Sequence, residues 1–277
     1  MSKKVALVTG GTSGIGKSLL PQLVDAGFNV HFIGRNAEKG RAIEAGLNEQ
    51  HGDVATFVQL DLSDLGAVKA FAKRFREEVP VLDLLANVAG LMLPKRVVTT
   101  EGFEKTFAIG YLSAYVLCTE LTESLARAPE PRIVNVSGLP RFVLEPRLDL
   151  DDLWFENNYK GMDVAIKTVH AKTVLTQVLA ERLEDQGITV NAFHPGAVQG
   201  DVMRDTNFVM SALFSVVNLF MSKTSESGLH VTTSDQVAGV TGSFFVGKTG
   251  TSLAFEPTYR EGLWKRTQSM LGEAAIR

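Results

Sequence analysis

The sequence predicts an α/β fold, a doubly wound parallel sheet of about seven strands with helices on both faces. Three observations predict it. Short apolar runs alternate with longer helical stretches, the pattern of strands buried on both faces. A glycine cluster follows the first run and opens a helix at once. No linker, low-complexity tract or repeat breaks the alternation, so residues 1–277 read as one domain.

In chain order the apolar runs predict strands at 4–8, 29–33, 55–60, 82–86, 132–136, 188–193 and 243–246. The segments between them predict helices near 15–26, 37–50, 64–78, 101–126, 165–186 and 234–239, joined by right-handed crossovers. The first strand carries Val5-Ala6-Leu7-Val8 into Thr9-Gly10-Gly11-Thr12-Ser13-Gly14-Ile15-Gly16. Glycines at 10, 14 and 16 let the backbone turn sharply and approach a ligand with no Cβ in the way. The helix start offers free N–H groups and a positive dipole end to a phosphate. Strand, turn and helix together predict a dinucleotide site; an ordinary glycine loop is the bland alternative. The register is not that of a G-x-x-x-x-G-K phosphate loop, although Lys17 follows Gly16.

The second strand ends at Gly34-Arg35-Asn36. An acidic side chain there would accept bonds from a ribose diol. Arg35 suits a 2′-phosphate instead, with Lys39 adding charge, so NADP(H) is expected over NAD(H). A surface arginine is the alternative. Asp61-Leu62 closes the third strand, either as an adenine contact or beside a helix N-cap at Ser63. Asn87-Val88-Ala89-Gly90 closes the fourth, with Gly90 letting the backbone pass close to a ribose. Two stretches lie outside the alternation: an acidic loop at 139–164 with Pro140 and Pro146, and 197–233, which holds an apolar run at 208–221. Both follow carboxyl ends of strands, where α/β sheets bind ligands. The apolar run suits a lid over an apolar substrate, or a packed helix or oligomer contact.

Net charge is −3 and no basic run occurs, so nucleic acid is not expected as a partner. No apolar run reaches the roughly 18–20 residues of a membrane span. The chain enters a strand without a leader, and a cytoplasmic location is expected. The single cysteine, Cys118, excludes an internal disulfide and reads as a packed helix residue; no metal site is expected.

Several motifs fall in one order: Thr9-Gly10-x3-Gly14-Ile15-Gly16, Asp61-Leu62, Asn87-Val88-Ala89-Gly90, Arg132-Ile133-Val134-Asn135-Val136-Ser137 and His194-Pro195-Gly196. Over essentially its whole length the chain resembles the short-chain dehydrogenase/reductase family. Its tail, Gly239-Val240-Thr241-Gly242-Ser243-Phe244-Phe245 and then Gly262-Leu263-Trp264, resembles the retinol-dehydrogenase-like branch. The resemblance implies a Rossmann-type sheet. It implies cofactor contacts at Gly10, Thr12, Ser13, Gly14, Ile15, Gly16, Arg35, Asp61, Leu62, Asn87, Ala89, Gly90, Lys172, Pro195, Gly196 and Val198. It also implies a homodimer paired through the helices at 101–126 and 165–186.

The family's chemistry uses a tyrosine phenol, a lysine four residues later, a serine and an asparagine. Lys172 fits the lysine, in Lys172-Thr173-Val174-Leu175-Thr176-Gln177. Four residues earlier stands Thr168, whose hydroxyl is far less acidic than a phenol at about 10. None of Tyr111, Tyr115, Tyr159 and Tyr259 has a lysine four positions later. The serine position reads Gly138, after Ser137, and the asparagine position reads Gly110 in Phe107-Ala108-Ile109-Gly110. The threonine often found after Pro-Gly is displaced, in Ala197-Val198-Gln199-Gly200-Asp201. Lys172, Thr168 and Ser137 are the remaining catalytic candidates. His170 lies about 200° around the helix from Thr168 and reads as structural; Tyr111 reads as core. Tyr159, Asp163 and Arg141 lie in the loop that follows the fifth strand.

Three functions fit this pattern. The first is an atypical NADP(H)-dependent oxidoreductase of an apolar small molecule. Hydride transfer needs an oriented nicotinamide but not a tyrosine. Imines or activated alkenes are then favoured over plain ketones, whose forming alkoxide needs stabilisation. The second is a non-redox isomerase or cyclase on the same scaffold. The third is a catalytically inactive, nucleotide-responsive binding protein.

Overall fold

The computed structural model describes residues 3–145, 147–196 and 224–274. Its centre is an eight-stranded sheet: β1 (Lys4–Thr9), β2 (Phe28–Gly34), β3 (Ala55–Gln59), β4 (Leu84–Asn87), β5 (Arg132–Val136), β6 (Thr189–His194), β7 (Ser243–Val246) and β8 (Thr249–Ser252). The spatial order is β3-β2-β1-β4-β5-β6-β7-β8. Every pair is parallel except β7 with β8, which closes one edge as a hairpin. The sequence predicts seven of these strands. It misses β8 because Thr249-Gly250-Thr251-Ser252 is fully exposed and carries no apolar alternation.

Two apolar cores sandwich the sheet. Leu7, Ile33, Leu85, Ile133, Val190 and Ala192 point to one face, and Ala6, Val8, Val30, Phe32, Val134 and Phe193 to the other. This is the period-two pleat of strands covered on both sides. The second face is covered by α1 (Gly14–Asp25), α2 (Ala37–His51) and α9 (Glu226–Thr233). The first face is covered by α3 (Leu65–Glu78), a broken helix over 105–125, α8 (Gly161–Arg182) and α10 (Pro257–Ala274).

Capping sets the helix starts. The Asn36 side chain accepts from Lys39 N at 2.8 Å and begins α2. Asp64 accepts from Ala67 N at 2.8 Å and begins α3. Ser63 is therefore not the N-cap: its amide and hydroxyl both donate to Asp61 Oδ1. The helix expected over 101–126 is four pieces: α4 (Lys105–Phe107), a π-helical turn (Ala108–Leu112), α5 (Ser113–Glu120) and α6 (Thr122–Leu125). The π-turn contains Gly110, and such turns concentrate at functional sites.

Other boundaries differ. The helix expected from 165 begins at Gly161, so the expected loop at 139–164 ends inside α8 and also holds the short α7 (Pro140–Val143). The helix expected at 234–239 is only a 3-10 turn, Asp235–Val237. Two helices, α9 and α10, are not foreseen. The apolar run at 208–221 lies outside the described residues.

Candidate active site

A cleft of about 510 Å³ opens at the carboxyl edge of the sheet, where β1 and β4 diverge in chain order. This is the topological switch point at which doubly wound sheets bind nucleotides. The turn after β1 supplies Gly10, Thr12, Ser13, Gly14, Ile15 and Gly16 to its wall. Ser13 is the N-cap of α1 but makes no side-chain cap bond, which leaves the helix's first amides for a ligand. A Cβ at Gly16 would meet Gly10 O at 2.4 Å, so this turn closes on itself only with glycine there.

The opposite wall is built by Thr9. Its Oγ1 accepts from Val88 N at 2.9 Å and Ala89 N at 3.0 Å, fixing the chain as it leaves β4. Ala89 and Gly90 line the cleft, whereas Asn87 is buried beneath them. Arg35 and Lys39, both exposed, stand at one end beside Asn36. Asp61 and Leu62 complete that end. Burial alone would raise the Asp61 carboxyl, but its bonds from Ser63 and the charges of Lys105 and Arg35 hold it below the usual range. The sequence singles out most of these residues. It misses Ile33, Gly34, Leu60, Val88, Leu91 and Ile109, apolar or small residues that read as ordinary core.

The catalytic candidates lie behind this cleft. Lys172 is 1% exposed, and its Nζ donates to Asn87 O at 3.2 Å and Ala89 O at 3.3 Å. Burial without a carboxylate partner pulls its ammonium down to about 7, with Cys118 pushing weakly the other way. Thr168 is buried, and its hydroxyl donates to Val164 O at 2.7 Å within its own helix. Its methyl fills the space beside Gly110, where an added Cβ would lie 2.4 Å from Cγ2. Ser137 points to α8 and bonds Thr173 at 2.5 Å. Gly138 faces Val143 and Val169, each 3.1 Å from an added Cβ. Pro195 and Gly196 follow β6, outside the cleft lining; Val198 lies outside the described residues.

The tyrosines are all engaged elsewhere. Tyr111 is fully buried and bonds Thr267 at 2.7 Å; burial drives its phenol far up. Tyr115 packs on Trp264 with ring centroids 4.9 Å apart. Tyr159 donates to Leu93 O at 3.0 Å and Glu104 Oε1 at 3.2 Å; burial and that carboxylate push it up to about 12. Tyr259 bonds His170 Nε2 at 2.8 Å, and His170 Nδ1 bonds Val143 O at 2.9 Å. Asp163 pairs with Lys167, and Arg141 stacks on Phe142. Among the described residues no group of three or more His, Cys, Asp or Glu is placed to hold a metal ion. No described helix is long and apolar enough to cross a membrane.

Relatives agree with this architecture. The family profile described as short chain dehydrogenase matches residues 4–143. Human retinol dehydrogenase 11 is 32% identical over 245 residues, which is 87% of this chain and 76% of that protein. Human polyprenol dehydrogenase is 26% identical over 283 residues, 97% of this chain and 85% of that protein. Among solved structures, a short chain dehydrogenase from Shigella flexneri complexed with NADP superposes with a TM-score of 0.68 at 19% identity, covering 90% of this chain and 98% of that one. The chain belongs to the short-chain dehydrogenase/reductase family, in its retinol-dehydrogenase-like branch.

Proposed function

We propose that the chain is an NADP(H)-dependent oxidoreductase of an apolar small molecule, working without the phenol that its family uses. The observation that carries this reading is a cleft furnished for a dinucleotide beside a catalytic helix that keeps only its lysine. The free amides of α1 suit a diphosphate, and the exposed Arg35 guanidinium suits a 2′-phosphate. Asp61 takes the adenine end, and the Ala89–Gly90 backbone the nicotinamide ribose. The bound cofactor would supply hydride. Lys172 braces the carbonyls of Asn87 and Ala89 from behind and so holds the wall against which the ribose lies.

Proton transfer is the altered step. Thr168, Gly138 and Gly110 put no acid at the positions where the family has tyrosine, serine and asparagine. Substrates that take hydride without concerted protonation, iminium ions and conjugated enones, are therefore preferred to plain ketones. An apolar substrate agrees with relatives named for retinol and polyprenol. The test follows NADPH consumption over a panel of imines, enones and ketones. Turnover of the first two classes well above the ketones supports the reading; no consumption with any class contradicts it.

One observation favours a second reading, a nucleotide-responsive binding protein. The Thr168 hydroxyl is committed to Val164 O and its methyl fills the Gly110 position, so the usual reaction space is packed. Tight NADPH binding without turnover would select it.

A further inference from the structure

Beneath the cleft, polar side chains stand where the pleat calls for apolar ones. Asn87 follows Leu85 on β4 and Asn135 follows Ile133 on β5, so both point to the core face that α8 covers. The register sets the two asparagines side by side. Thr176 lies one helical turn beyond Lys172 on α8. Asn87 and Lys172 are 1% exposed, and Asn135 and Thr176 are fully buried. Polar groups so placed cost stability unless each finds a partner.

They find partners in a closed ring that begins and ends at Lys172. The Lys172 carbonyl can only accept, and the Thr176 hydroxyl gives its one proton there at 3.0 Å. Thr176 Oγ1 is then left to accept from Asn135, whose Nδ2 donates to it at 3.0 Å. That turns Asn135 Oδ1 towards Asn87, whose Nδ2 donates to it at 2.9 Å and to Cys118 Sγ at 3.2 Å. The Asn87 carbonyl accepts from Lys172 Nζ at 3.2 Å, which closes the ring. The same Nζ reaches on to Ala89 O at 3.3 Å. One helix carbonyl thus sets the direction of every link, and the last link holds the chain that goes on to line the cleft with Val88, Ala89 and Gly90.

Resting on the cofactor reading above, we propose that Asn135 and Thr176 are positioning residues for the nicotinamide half of the dinucleotide. They act through Asn87 and Lys172, fixing the spacing between α8 and the strand end against which the nicotinamide ribose lies. Arg35 and Asp61, which follow β2 and β3 at the adenine end, belong to no link of the ring. Opening the ring therefore weakens the hold on one half of the cofactor and spares the other.

The experiment titrates the full chain calorimetrically with NADPH and with adenosine 2′,5′-bisphosphate, which lacks the nicotinamide and its ribose. Thr176→Val keeps the shape and removes the hydroxyl, whereas Thr176→Ser keeps the hydroxyl. We expect Thr176→Val to weaken NADPH binding about fivefold or more, the scale of one buried hydrogen bond, and to leave the bisphosphate within about twofold. Thr176→Ser should bind both as the wild type does. Asn135→Ala opens the next link and should show the same split. In a Lys172→Met background, Thr176→Val should weaken NADPH no further, because the ring is already open. Equal weakening of both ligands, no weakening of either, or an additive loss in the Lys172→Met background overturns the proposal; the wild type then still binds NADPH and the cofactor reading stands. A wild type that does not bind NADPH overturns the cofactor reading and this proposal with it.

Discussion

Arg35 and Gly110 carry the two sharpest residue-scale expectations. Replacing Arg35 with alanine removes the charge that suits a 2′-phosphate. A charge-assisted bond of about 1.5–3 kcal/mol corresponds to roughly 10- to 100-fold in affinity, so NADPH binding should weaken by that factor while NADH binding barely changes. Equal weakening of both in a calorimetric titration would contradict the assignment. Gly110 and Thr168 form one packed unit, because an added Cβ at Gly110 meets Thr168 Cγ2 at 2.4 Å. Gly110→Ala should cost about 1–3 kcal/mol in denaturant unfolding. Thr168→Ser removes the methyl and keeps the hydroxyl bond, so the double variant should recover most of that loss. Additive losses would show that the two residues do not share one space. This coupling is not legible in the sequence, where positions 110 and 168 read as separate departures from the family pattern.

At the scale of elements, His170 joins three of them. Its ring bridges α7 through Val143 O and α10 through Tyr259, whose hydroxyl also accepts from Leu148 N at 3.1 Å. Burial lowers this imidazole to about 4, against a weaker opposing pull from the Val143 bond. The unfolded chain takes up the proton near 6.5 and the folded chain only near 4. Stability contributed by neutral His170 is thus complete above about 6.5 and is lost as pH falls towards 4, by up to about 3 kcal/mol. Thermal unfolding across that window should show the decline, and His170→Gln should remove most of it. A variant with an unchanged pH profile would contradict the bridge. The sequence foretells His170 as structural from its angle on the helix, but not its partner. Helix α10 escapes a periodicity reading because one of its fully buried positions, Thr267, is polar and only Leu263 and Met270 are apolar among them. The strands of the parallel sheet are legible because each is a near-continuous apolar run; β8 is not, because burial leaves no mark on it.

At the scale of the whole molecule, α10 lies over the face that the family resemblance assigns to pairing. Trp264 packs on Tyr115 of α5, Thr267 bonds Tyr111, and Arg182 of α8 pairs with Glu261 at 2.7 Å and stacks on Trp264. Arg260 pairs with Glu181 on the same seam. Contacts from α10 thus reach both α5 and α8 within one chain, on the face where the expected homodimer would pair. Sedimentation of the full chain across the micromolar range tests the expected homodimer: a dimer supports it, and a single copy would show that α10 takes the partner's place on this face. The turn that lines the cleft after β1, and the Arg35 and Asp61 positions, are legible from sequence as glycines and charges at strand ends; the apolar lining residues and the placing of Asn87 and Lys172 beneath the cleft are not. The surroundings of the catalytic candidates are not legible either, since Ser137 meets Thr173 and Gly110 meets Thr168 across elements far apart in the chain.

The central claim is that this fold keeps its ligand while changing its proton chemistry, and its first half is the more directly measurable. Calorimetric titration of the chain with NADPH and with NADH gives the two dissociation constants side by side. The account predicts saturable binding of NADPH at least about tenfold tighter than NADH, the scale of one charge-assisted phosphate contact. No binding of either dinucleotide, or a preference for NADH, would contradict it.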